Sequence, residues 1–127
     1  MSWYAAHLIL YVRLKSQPQE RFPAWENIVL LKADSEEEAF AKAESRGRAD
    51  AGDDGGSFRW GGQPAEWVFA GVRKLTLCQD AGKRPGDGTE ISYTEMEIGS
   101  LAAIEKWIGG EPVSVRLTEK FRAAAPQ

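Results

Sequence analysis

The chain predicts a single α+β domain. Its elements run β-β-α-β-β-α-β, with a mixed, mainly antiparallel sheet, one long helix on one face and a short C-terminal helix. Three features predict this. The stretch from Trp3 to Leu14 alternates with a period of two. An apolar, β-branched run from Trp25 to Ala33 passes through Asp34-Ser35 into an acidic, alanine-rich segment that stops at Gly47. Shorter strand-like runs follow from Glu66 to Cys78, Thr89 to Ile98 and Val113 to Leu117.

The first strand places Tyr4, Ala6, Leu8, Leu10, Val12 and Leu14 on one apolar face. Trp3, Ala5, His7, Ile9, Tyr11 and Arg13 share the other, mixed face. Two prolines mark Ser16 to Pro23 as a loop. The second strand is apolar on both faces, so both are expected to be covered. Ser35 with Glu38 fits a capping box, and Glu36, Glu37 and Glu38 suit the positive end of a helix dipole. Ala39, Phe40 and Ala43 form a narrow stripe with Gly47 in reach, and Gly47 is also a candidate for the residue that ends the helix.

Gly52 to Pro64 combines glycines with the aromatics Phe58 and Trp60. In the third strand Trp67, Phe69, Leu75 and Leu77 are expected on one face and Val68, Ala70 and Val72 on the other, with Gly71 marking a bulge. The polar fourth strand from Thr89 suits a sheet edge. Ser100 caps a short helix lined by Leu101, Ile104 and Ile108, and a last strand follows. A right-handed crossover through the long helix, with the first strand inserted beside the second, predicts the spatial order 4-3-1-2.

The chain has 127 residues, 43% hydrophobic and 28% charged, which suits one domain (1–117) with its own core and a flexible tail (118–127). Its formal charge of −3, from 16 basic and 19 acidic residues intermixed along the chain, is not the basic footprint of a nucleic-acid binder. Cys78 is the only cysteine, so an internal disulfide is impossible and a reducing, cytoplasmic setting is expected. No apolar run approaches the roughly 18 residues of a membrane span, and the N-terminus lacks signal-peptide character.

Three stretches together resemble a bacterial family, domain of unknown function 4288. They are Trp3-Tyr4-Ala5-Ala6, the run from Glu26 to Ala39, and Trp67 to Leu75 with Asp87-Gly88-Thr89-Glu90 behind it. The likeness covers roughly Trp3 to Tyr93, leaving the second helix and last strand outside. It implies a small α+β domain of a cytosolic protein and brings no activity, cofactor or catalytic residue.

The reactive side chains do not form a catalytic set by spacing. His7 is the only histidine, and a nucleophile, base and orienting group are needed together. It is expected as a half-buried strand residue with a backbone or carboxylate partner. Cys78 lacks local activators and reads as a passive thiol. Asp50, Asp53 and Asp54 with Gly55 miss the calcium-loop spacing, since Gly61 stands where the closing Glu belongs. Glu95 and Glu97 share a face without a companion histidine. No catalytic residue, metal site or cofactor is therefore expected.

The aromatics carry the remaining signal. Most of the five tryptophans are expected in the core. Trp3, His7, Ile9 and Tyr11, however, form an amphipathic patch of the kind found at interfaces and ligand grooves. Trp3, His7, Tyr11, Trp60 and Trp67 are the ligand or interface candidates. The leading expectation is a non-enzymatic interaction module, a possible homodimer through the Trp3/His7/Tyr11 face. One alternative is a small-molecule-binding protein or small enzyme with a pocket near Gly52–Pro64, using His7, Glu26 and Arg59. Another is a neutralising or regulatory partner of a second bacterial protein.

Overall fold

Alternation in β1 (Ser2–Leu14) sorts its side chains so cleanly that Ala6, Leu8, Leu10 and Val12 are all buried on one side. In a computed structural model of the protein, which describes residues 1–78 and 83–119, β1 is the spine of the main sheet. It pairs antiparallel with β2 (Ala24–Ala33) on one side and β4 (Gln63–Leu77) on the other. A two-residue strand, β3 (Arg59–Trp60), completes the order β2-β1-β4-β3. The crossover from β2 to β4 runs through α1 (Glu36–Asp50), so β2 and β4 point the same way with β1 between them.

The α+β class and the element order agree with the sequence, β3 being a small addition. Ser35 caps α1 by accepting the Glu38 N–H at 3.1 Å, and Glu38 reaches back to the Asp34 N–H at 3.3 Å. Ala39, Phe40 and Ala43 pack against Ala6, Leu8, Leu10, Ala33, Val72 and Leu75 to form the core. Gly47 does not end the helix, which continues to Asp50 with Ala51 as its cap. Its role is contact: a Cβ there would lie 2.2 Å from the Phe69 ring, so only glycine lets the helix approach β4 so closely.

β4 departs from simple alternation. Its register against β1 shifts between His7 and Leu8 and again between Ile9 and Leu10, leaving Arg73 and Ala70 as extra residues. Val72 is thereby turned onto the α1 face and joins the core, against the expectation that it would share a face with Val68 and Ala70. Gly71, with φ 149°, sits between the two bulges and supplies a backbone conformation that other residues rarely adopt.

The expected fourth strand shortens to β5 (Met96–Ile98), which leaves the main sheet and pairs with β6 (Val115–Leu117). Thr89–Glu95 instead crosses the second sheet face without regular structure, its polar groups bonding buried polar side chains rather than a ladder. Between β5 and β6, α2 (Leu101–Ile108) is capped by Ser100, whose Oγ accepts the Ala103 N–H at 3.1 Å. The expected apolar stripe of α2 is not packed away: Leu101 and Ile108 are each 80% exposed. The expected flexible tail lies mostly outside the described residues. Thr118 and Glu119 are described and are held by Glu95, Arg73 and Lys74. Among the described residues no helix is long and apolar enough to cross a membrane.

Candidate functional site

The face of the sheet away from α1 carries the polar chemistry of the molecule. His7 is fully buried there, in the middle of β1, where a neutral or charged imidazole must have partners. Its Nδ1 lies 2.7 Å from Glu26 Oε2 on β2, and its Nε2 lies 2.5 Å from the Ser92 hydroxyl in the crossing segment. An ionised carboxylate only accepts, so the Nδ1 proton belongs to the Glu26 bond. The other nitrogen then accepts from Ser92 when the ring is neutral. Partial burial alone would raise the Glu26 carboxyl, but hydrogen bonds from His7 and Arg73 outweigh it and hold the group below its ordinary range.

Arg73 reaches the same oxygen through Nε at 2.7 Å. Its Nη2 is 2.6 Å from that oxygen but buried without an aligned hydrogen bond. Arg73 Nη1 donates to Glu119 at 3.1 Å, and the adjacent Lys74 contacts the other Glu119 oxygen. Neighbouring strand residues should face opposite ways; the bulge at Arg73 is what lets both reach one carboxylate. Lys74 is 2% exposed. Its ammonium also donates to the Tyr93 carbonyl at 2.5 Å and sits 3.4 Å from the Tyr93 ring centroid. The Lys74 bond, helped by Arg73 and opposed by burial, lowers the Glu119 carboxyl. Cys78, beside Ile91, is pushed up by burial.

Ser92, His7 and Glu26 thus have the connectivity of nucleophile, base and orienting acid. Two features weaken that use. The imidazole is sealed beneath Thr89–Tyr93, and Glu26 shares its charge with Arg73.

Further along β1 the same face is open. Ile9, Tyr11, Phe22 and Ala24 line a groove of about 310 Å³, in which the Tyr11 and Phe22 rings meet edge to face at 5.5 Å. Ile28 and Leu30, on the same face of β2, are 47% and 40% exposed. Among the described residues β2 has no partner strand on its outer side.

The five sequence candidates therefore divide between two faces. Trp3, His7 and Tyr11 lie on the second face, with Trp3 near Lys32, whose ammonium is 5.8 Å from the ring centroid. Trp60 and Trp67 lie on the α1 side, clustered with Trp25 and Phe58; Trp25 is 4.8 Å from Trp67 and 5.8 Å from Trp60. His7 and Glu26 are brought together. Arg59 is not, its guanidinium turning to the Gly56 and Phe58 carbonyls. The loop aspartates are also engaged: Asp53 with Lys15 and the Gly56 N–H, Asp50 with Arg46. Among the described residues no group of three acidic, histidine or cysteine side chains could hold a metal. Sequence reading missed Ser92, Lys74 and Glu119, whose meeting depends on long-range placement with no local signal.

Comparison with family models matches residues 3–92 to the family described as Domain of unknown function (DUF4288). The chain belongs to this family. Comparison with curated proteins and with solved structures returned no match. The DUF4288 segment takes in His7, Glu26, Arg73, Lys74 and Ser92, whereas β5, α2, β6 and Glu119 lie beyond it.

Proposed function

We propose that this DUF4288 protein is a non-enzymatic interaction module that associates with protein, its own copies included, through the uncovered part of its second sheet face. The observation that carries the reading is a pair of open apolar patches on this face, the Ile9/Tyr11/Phe22 groove and Ile28 with Leu30 at the sheet edge. The Arg73–Glu26 pair lies between the two patches and Arg13–Glu66 lies beyond Tyr11, so apolar area and charge alternate along the face, a mixture that contact surfaces share. The exposed Leu101, Trp107 and Ile108 of α2 add a second apolar area. Sedimentation velocity over a rising concentration series tests the reading. The unaltered protein is expected to shift to a faster boundary, and Leu30→Asp to return it to monomer with unchanged circular dichroism; an association that runs through the groove is instead abolished by Tyr11→Asp. A monomer at every concentration would remove self-association.

The small-enzyme alternative draws its support from the Ser92–His7–Glu26 chain. A fluorophosphonate probe separates the two readings. A Ser92 adduct that disappears in His7→Gln would favour the enzyme; the buried imidazole leads us to expect none.

A further inference from the structure

We propose that a second copy of the chain pairs antiparallel with β2 about a two-fold axis at Val29, joining two sheets into one. This deepens the interaction-module reading by naming the partner and the register.

The outward-facing backbone groups of β2 can be assigned. Val12 N–H donates to the Pro23 carbonyl at 2.9 Å, so odd-numbered residues turn their backbone toward β1 and even-numbered ones away. The Lys32 carbonyl agrees: it accepts from Lys42 Nζ at 2.6 Å on the open side. In a two-fold pair, outward residues must therefore face outward residues. Centring on Ile28 sets Glu26 against Leu30, and centring on Leu30 sets Ile28 against Lys32, so each buries a charge against an apolar side chain. Centring on Val29 sets Glu26 against Lys32 and Ile28 against Leu30, with both matches occurring twice.

Glu26 is equipped for this. Every contact it makes among the described residues uses Oε2, which leaves Oε1 for the Lys32 ammonium of the second copy. Ile28 and Leu30, otherwise half in solvent, cover each other. Both copies then present α1 on one side and the apolar groove on the other. Lys42 guards the edge in the monomer, and it can withdraw toward Glu38, 3.6 Å from its ammonium.

Cysteine scanning along β2 tests the register under mild oxidation. Residues facing each other across the axis at a non-hydrogen-bonded site lie about 4.5 Å apart at Cα, within disulfide range. Val29→Cys is expected to give a disulfide-linked dimer, whereas Ile28→Cys and Leu30→Cys alone stay monomeric on a non-reducing gel. Because Val29 packs partly against α1, a second measurement uses the exposed positions: mixing the Ile28→Cys and Leu30→Cys proteins is expected to yield a heterodimer. The buried native Cys78 is common to all samples. Homotypic crosslinks at Ile28 or Leu30, or no crosslink anywhere, overturn the proposal. If the unaltered protein still self-associates in that case and Tyr11→Asp abolishes it, the broader interaction reading survives; a protein monomeric throughout removes both.

Discussion

The Lys74–Glu119 pair is where a single substitution should tell most. Lys74 carries its charge at 2% exposure, so its carboxylate partner cannot be removed without leaving a buried, undercompensated ammonium. Glu119→Gln is expected to cost about 3 kcal/mol at neutral pH, the low end for breaking a buried pair, because the Tyr93 carbonyl still accepts from Lys74. The pH profile gives a second readout. Glu119 and Glu26 are both lowered in the folded protein. Their stabilisation is therefore fully present above the unfolded carboxylate value of about 4.3 and is lost as pH falls through the lower folded values. Urea midpoints should drop steeply below about pH 4, and Glu119→Gln should flatten that drop. An unchanged acid limb in the variant would take Glu119 out of the account. The His7–Glu26 contact had its two residues named from the sequence, but the Lys74–Glu119 pair was not legible there. A lysine in a strand reads as a solvated side chain, and only the bulge beside it brings Arg73 and Lys74 onto one carboxylate.

At the scale of elements, legibility followed the range of the forces involved. The start of α1 could be read because its signals lie within four residues: Ser35 caps Glu38, and Glu38 answers to Asp34. The faces of β1 could be read because a period of two is strict when a strand is regular and one side is sealed by a helix. The end of α1 could not, because Gly47 is required by the Phe69 ring and not by helix termination. The faces of β4 were misread where two bulges break the alternation. Gly71 marked the place, but whether a bulge adds one residue or two depends on how β1 pairs alongside. Thr89–Glu95 failed as a strand for a related reason. Its polarity suits an edge, yet the buried imidazole and ammonium beneath it need polar groups overhead, and satisfying them outweighs a regular ladder.

At the scale of the molecule, one face of a four-stranded sheet is sealed by α1, while among the described residues the other is only partly covered and the edge strand β2 stays open. A long, apolar edge left in solvent invites pairing, and Lys32 and Lys42 restrain it without blocking the one register that matches charge to charge. Association that engages the folded chain and not the unfolded one must raise thermal stability by mass action. At a free concentration a hundred times the dissociation constant the gain is about 2.7 kcal/mol. For a chain of this length that corresponds to roughly 10 °C in Tm. The unaltered protein should therefore melt higher as its concentration rises. Leu30→Asp, which puts a carboxylate at the centre of the paired edge, should melt at one temperature throughout. Differential scanning calorimetry over a dilution series reads this directly, with reversibility checked by a second scan. A concentration-independent Tm in the unaltered protein would mean that the open face and the open edge face only water.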